Sequence, residues 1–169
     1  SVYLSENFHA DRNRSLAYFM RENHAFPENA HIENTLSLYF QACSVSVNCQ
    51  TMASIAATLA NNGTSPLSQQ KVLKGETVQD CLSLMYMCGM YDFSGQFAFE
   101  IGLPAKSGVS GCLFVVIPNQ MGICIWSPRL DECGNTVRGI EFCRQLIHKL
   151  DCHIFHNVVK ADSTISNMA

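Results

Sequence analysis

The sequence predicts an α+β protein, helices packed over a small antiparallel sheet, on three observations. Apolar residues recur at helical spacing through most of the first 89 positions and again after residue 135. Near Gly111 the period changes: Cys112-Leu-Phe-Val-Val-Ile117 is a continuous apolar run closed by Pro118, and Met121 to Trp126 answers it across Asn119-Gln120 as a hairpin. The composition, 47% hydrophobic against 15% charged in 169 residues, supports one ordinary domain with a real core and leaves no room for a second of normal size.

The first helix is expected to open at Ala10 or Asp11 and run to about Glu22, with Leu16, Phe19 and Met20 on one face and Pro27 beyond its end. Leu36 to Cys43 reads as a short second helix carrying Tyr39. The third is cleaner, because Met52, Ile55, Ala56 and Leu59 follow i, i+3, i+4, i+7 spacing and Asn61-Asn62-Gly63 supplies a left-handed cap. Val78, Cys81, Leu82 and Met85 repeat that pattern before Gly89 stops it. The last helix is placed from about Asn135 to Leu150, with Val137, Ile140, Cys143, Leu146 and Ile147 facing inward.

In the hairpin, the first strand should be buried on both faces. A turn at Asn119-Gln120 sets Cys124 opposite Val115 rather than Cys112, so the two cysteines should not be bonded. One hairpin is too small a sheet to stand alone, and more strands are expected from sequence outside these residues. Residues 1–150 therefore read as the folded portion, and 151–169, with little periodicity, as a tail or linker.

The formal net charge is −3 and the eleven Lys and Arg are scattered, so no basic face is expected for nucleic acid or an anionic membrane. Small neutral or zwitterionic partners fit better. No apolar run approaches the roughly 20 residues that span a bilayer, and Ser1-Val-Tyr-Leu-Ser-Glu-Asn7 is neither a signal peptide nor an initiator segment, so the chain is expected to be soluble and to begin inside a longer protein. Nine irregularly spaced cysteines, an odd number, suit reduced core thiols and an intracellular, reducing compartment better than a disulfide framework. The six histidines form no metal set, since Cys152, His153 and His156 lack a fourth ligand, and no metal or other cofactor is expected.

The most informative stretch is Gly89 to Gly111, which pairs Tyr91 with a downstream Lys106-Ser-Gly108. That pairing occurs in serine amidohydrolases of the penicillin-recognising kind, where a Lys-Thr/Ser-Gly strand borders the substrate. Gly89-Met-Tyr-Asp-Phe-Ser-Gly, Gly102-Leu-Pro-Ala-Lys-Ser-Gly-Val, Ala10-Asp-Arg-Asn13, Trp126-Ser-Pro-Arg-Leu-Asp and Gly134-Asn-Thr-Val-Arg-Gly-Ile together resemble the glutaminase family, most closely the animal mitochondrial, phosphate-activated type, over about residues 6–150.

The resemblance implies a penicillin-binding, β-lactamase-like serine hydrolase architecture, and hydrolysis of L-glutamine to L-glutamate and ammonia through a serine acyl-enzyme. It implies Tyr91 as proton relay, the backbone N–H of Val109 as oxyanion donor and Lys106 as electrostatic support. For glutamine binding it implies Glu6 toward the α-ammonium, Asn13 and Tyr39 toward the α-carboxylate, and again Tyr91 and Val109. Taken without the resemblance, Glu6 reads as a solvated charge, Asn13 as a first-turn polar group, Tyr39 as a half-buried aromatic, Tyr91 as a tyrosine closing a helix and Lys106 as a surface lysine. It also implies a mitochondrial matrix location, assembly as homotetramers and filaments, and stimulation by phosphate. The family segment that begins Ser-Glu-Arg here reads Ser5-Glu6-Asn7, which leaves the surroundings of Glu6 the weakest match.

One Ser-x-x-Lys occurs, Ser68-Gln-Gln-Lys71, within a turn-rich polar connection. The chemistry needs serine and lysine one turn apart on a buried helix, so that the lysine can lose its proton. The family's motif lies upstream of the Asp-Arg-Asn segment, so the chain resembles the C-terminal half of the catalytic domain and is expected to be inactive alone. Two other readings compete: a different penicillin-recognising serine amidohydrolase, and a truncated chain serving as an interaction or regulatory partner.

Overall fold

The structure, a computed structural model, describes residues 1–156. Where composition suggested a single core, the described residues gather into two compact units, Ser1–Val47 and a second from Asn48 onwards. No helix among them is long and apolar enough to cross a membrane.

The first unit holds three helices, α1 (Val2–Phe8), α2 (Asp11–Glu22) and α3 (Ile32–Cys43). Its core is Ala10, Ala17, Ile32, Leu36 and Phe40, with Tyr3 and Phe26 packed alongside. Helix α2 has the expected span, but Leu16, Phe19 and Met20 are exposed, and the helix is seated instead through the small pair Ala10 and Ala17, seven residues apart. Helix α3 starts four residues earlier than expected, because Ile32 extends the stripe of Leu36 and Phe40 at i, i+4, i+8. Helix α1 was not anticipated, since seven residues with no buried member carry no apolar stripe. Tertiary bonds hold it: the Tyr3 hydroxyl lies 3.0 Å from Ser37 Oγ, and the Arg14 guanidinium donates to Asn7 O (2.9 Å) and Oδ1 (2.7 Å).

The second unit runs α4 (Cys49–Ala60), α5 (Gly75–Cys88), a 3₁₀ turn (Tyr91–Phe93), α6 (Ser94–Glu100), β1 (Ala105–Gly108), β2 (Cys112–Ile117), β3 (Met121–Trp126) and α7 (Val137–Leu150). Asn48 caps α4 by accepting the Thr51 N–H at 2.9 Å, and the helix leaves through left-handed Asn62 and Gly63, as its sequence predicts. The strands form one antiparallel sheet in the order β1-β2-β3, so the described sheet has a third strand beyond the expected hairpin. Strand β2 is central and buried on both faces: Leu113, Val115 and Ile117 pack with α6 and α7, and Val116 with Ala56, Leu59, Ala60 and Val78. Helix α4 lies directly on β3, where a Cβ at Gly122 would stand 2.0 Å from Ala57 N.

The hairpin register differs from the expected one by a residue. Ile117 pairs with Met121, leaving Pro118-Asn119-Gln120 as a three-residue loop, and Cys124 faces Phe114 rather than Val115. Pro118 has no N–H to give the ladder and falls into the loop, Asn119 takes the left-handed conformation, and its N–H bonds to Ala60 O at 2.9 Å. A one-residue slip turns every side chain over, so Cys124 shares a face with Cys112. Their sulfurs stand 3.7 Å apart, in thiol hydrogen-bond contact with no disulfide between them.

Helix α7 buries Ile140 and Cys143 and half-buries Leu146 and Ile147, but Val137 is exposed at its first position, beyond the Thr136 side chain that caps Gly139 N at 3.1 Å. Of the expected tail, residues 151–156 are described. Cys152 joins the core and Ile154 N–H bonds to Gly102 O at 3.3 Å. Residues 157–169 lie outside the described residues.

Burial pushes the Cys143 thiol up to about 12, and burial together with the neighbouring Cys112 and Cys49 thiols raises Cys124. Because the thiolate is the reactive form, iodoacetamide at mildly alkaline pH should alkylate exposed Cys43, Cys88 and Cys133 in the native protein and reach Cys143 only after unfolding. Peptide mass spectrometry reads the outcome, and native labelling of Cys143 would contradict its place in the core.

Candidate active site

The residues singled out from sequence fall in both units. In the first, Glu6 is exposed on α1, Asn13 sits in the first turn of α2, and Tyr39 lies on α3, its ring edge-on to Phe40 with centroids 5.7 Å apart. Tyr39 is 52% exposed, more open than the half-buried aromatic its helix position suggests. Arg14 organises the unit, holding α1 through Asn7 while its Nε lies 3.5 Å from Glu33 on α3.

In the second unit the structure brings Tyr91, Lys106 and Ser107 together. Helix α5 ends at Gly89, whose φ of −74° is ordinary. The glycine is required there by proximity: a Cβ would meet Ala105 O at 1.8 Å and Met85 O at 2.4 Å. That closeness lets Gly89 O accept the Ser107 N–H at 2.9 Å, which fastens the end of α5 to strand β1. Two residues on, Tyr91 turns into the left-handed region at φ +54°, a conformation that costs energy for a bulky side chain.

The turn aims the tyrosine back at β1. Its hydroxyl donates to Ser107 O at 3.4 Å, and the Lys106 ammonium stands 4.8 Å from its ring centroid while donating to the same carbonyl at 2.5 Å. A Cβ built at Gly134 would lie 3.7 Å from the same ring, so the loop after β3 closes against it. Val109 is 76% exposed in the tight turn between β1 and β2, where Gly111 N–H bonds to Gly108 O at 2.9 Å. That turn is steadied from β3 by Trp126 Nε1 donating to Ser110 O at 2.8 Å.

Ser68 and Lys71 lie in the loop between α4 and α5, both exposed. Lys71 pairs with Thr64 in an isolated bridge and its ammonium donates to Asn62 O. The two are not on a helix. Among the described residues no group of three or more His, Cys, Asp or Glu is arranged to hold a metal ion.

The sequence reading missed what holds Tyr91. Ser94 Oγ accepts the Met90 N–H at 2.9 Å and donates to Tyr91 O at 2.7 Å, while Asn135 Nδ2, 45 positions away, donates to Met90 O at 3.1 Å. Asn135 reads only as the start of the last helix, and nothing in the sequence points from it to Met90.

Comparison with known proteins is consistent across sequence and structure. The family model described as Glutaminase matches residues 1–155. "Putative glutaminase 3" of Caenorhabditis elegans is 53% identical over 163 residues, 96% of this chain and 28% of that protein. "Glutaminase liver isoform, mitochondrial" of Mus musculus is 48% identical over 158 residues, 94% of this chain and 26% of its own length. "Glutaminase" of Trichormus variabilis is 46% identical over 158 residues, covering 94% of this chain and 47% of its own. A solved structure of a probable glutaminase from Bacillus subtilis, complexed with 6-diazo-5-oxo-L-norleucine, superposes with a TM-score of 0.82 at 34% identity over 91% of this chain and 52% of that one. The chain thus spans between about a quarter and a half of the length of these relatives, and the likeness bears out the β-lactamase-like α+β architecture.

Replacing Gly89 by alanine would drive a methyl into two carbonyl oxygens. Gly89→Ala should therefore cost at least about 2 kcal/mol, the scale of overpacking where nothing flexible can yield. Thermal or urea unfolding measures it, and a variant as stable as the parent would mean that α5 and β1 are farther apart.

Proposed function

Because the chain belongs to the glutaminase family, we propose that its residues form part of the catalytic domain of a glutamine amidohydrolase, which converts L-glutamine and water to L-glutamate and ammonia through a serine acyl-enzyme. The observation that carries this reading is the cluster of Tyr91 and Lys106 on the Lys-Ser-Gly strand. A hydroxyl and an ammonium gathered at one carbonyl suit a centre where a proton is relayed to a departing amine while negative charge develops nearby.

In this reading the nucleophilic serine and its lysine come from a Ser-x-x-Lys helix outside the residues described, and Ser68 and Lys71 play no part. Tyr91 carries the proton to the leaving ammonia. Lys106 stabilises the anionic transition state electrostatically and the N–H of Val109 donates to the oxyanion. Its exposed turn leaves room for a substrate oxygen. Glu6 meets the α-ammonium of glutamine, and Asn13 and Tyr39 its α-carboxylate.

Support for glutamine as substrate comes from the Bacillus subtilis relative, which is complexed with 6-diazo-5-oxo-L-norleucine, an amino acid of similar length. A mitochondrial location rests on the mouse and rat relatives, both named mitochondrial. Homo-oligomers, tetramers or filaments, and activation by phosphate rest on the family resemblance alone.

In the full-length protein, Tyr91→Phe should lower kcat by at least about a hundredfold without unfolding it, the usual cost of removing a proton-relay hydroxyl. Ser68→Ala should leave kcat within about twofold, as substitutions at exposed sites away from chemistry do. Steady-state ammonia release separates the two, and a silent Tyr91 with an essential Ser68 would reverse the assignment. Glu6→Gln should raise KM for glutamine while leaving kcat nearly unchanged. An unaltered KM would remove Glu6 from the site.

A further inference from the structure

Asn135 is wholly buried, at 0% exposure, yet it carries a side chain that packing alone does not favour. Its Nδ2 donates to Met90 O at 3.1 Å, whereas its Oδ1 is shielded from solvent and accepts no hydrogen bond among the described residues. A leucine, branched at the same carbon, would leave no buried amide oxygen over. What asparagine adds is the bond to Met90.

That bond falls on one peptide unit. The Met90 carbonyl and the Tyr91 N–H belong to the same planar group, so fixing the carbonyl fixes the entry to the left-handed turn at Tyr91. The asparagine is itself held rigidly: Asp131 Oδ1 accepts the N–H groups of Cys133 (3.0 Å) and Asn135 (2.9 Å), and Asp131 N–H bonds to Asn135 O at 2.7 Å. The same loop presents Gly134 to the Tyr91 ring.

We propose that Asn135 is a positioning residue for Tyr91, holding the Met90–Tyr91 peptide so that the tyrosine hydroxyl stays at Ser107 O beneath the Lys106 ammonium. The inference rests on the proton-relay role proposed for Tyr91. Ser94 clamps the two flanking peptides, through the Met90 N–H and the Tyr91 carbonyl. Asn135 acts through Tyr91 and touches no reacting atom.

The test uses the full-length protein. Asn135→Leu should fold and lower kcat at least about tenfold, with KM for glutamine within about twofold of the parent. Its decisive comparison is the Tyr91→Phe background, where adding Asn135→Leu should change kcat less than about twofold, because a residue that acts through a hydroxyl has nothing to position once that hydroxyl is gone. Asn135→Ala, which removes the donor without adding volume, should show the same loss in kcat alone. Multiplicative losses in the double variant, or parental kcat in either single variant, would overturn the proposal, and unfolding of both single variants would assign Asn135 to the core instead. If Tyr91→Phe itself leaves kcat unchanged, the relay reading fails. If Tyr91→Phe is slow but Asn135→Leu is not, only the positioning role fails.

Discussion

A hydrogen bond between Gly89 O and Ser107 N, possible only because position 89 lacks a Cβ, sets the geometry of the second unit. It brings the end of α5 against β1 at backbone distance, closer than any two side chains would allow. The chain must then reverse within a few residues to start α6, and the left-handed Tyr91 makes that reversal. The tyrosine consequently points to the strand that α5 has just touched. Placement of its hydroxyl near Ser107 O follows from backbone packing rather than from any attraction between the side chains, and the contact with the Lys106 ammonium comes with it.

How legible this was in the sequence depended on whether an element is decided locally. Helix α4 was legible in its apolar spacing and its Asn62-Gly63 exit, which are local signals, while its start at the Asn48 cap went unread. The hairpin was legible in kind but not in register: whether Pro118 belongs to the strand or the loop turns on where the ladder meets the end of α4, and Asn119 bonds to Ala60 across 59 positions of sequence. Helix α1 and strand β1 gave no signal of their own. The first is held by Arg14 and Ser37, the second by Gly89 and, across a three-residue turn, by β2. The exposed face of Leu16, Phe19 and Met20 shows the converse case, a stripe of the right period that Ala10 and Ala17 outcompete for the core.

The candidate site divides along the same line. Tyr91 and Lys106 stood out because they are chemically distinctive residues in a glycine-rich stretch and beside a strand. Their juxtaposition across 15 positions was implied only by resemblance, and the structure supplies it directly. Asn135 was not legible at all. An asparagine after a glycine and before a capped helix is the commonest kind of turn residue, and what distinguishes this one is burial and a bond spanning 45 positions.

Two unfavourable features therefore meet at one peptide, a tyrosine held at positive φ and an asparagine oxygen buried without a hydrogen bond among the described residues. Each costs on the order of 1–3 kcal/mol relative to an unstrained or apolar alternative. A fold under pressure only for stability would relax either one by substitution, glycine at 91 or an apolar residue of matching size at 135. Retaining both in the same turn is the pattern expected where local geometry serves chemistry and the surrounding core over-determines it. That core is at hand: Met90, Phe97, Leu113 and Ile140 are buried around the turn, and Thr136, next to the asparagine, is fully enclosed as the cap of α7. The hydrophobic packing of α6 and α7 on β2 thus holds a conformation that Tyr91 would not adopt alone.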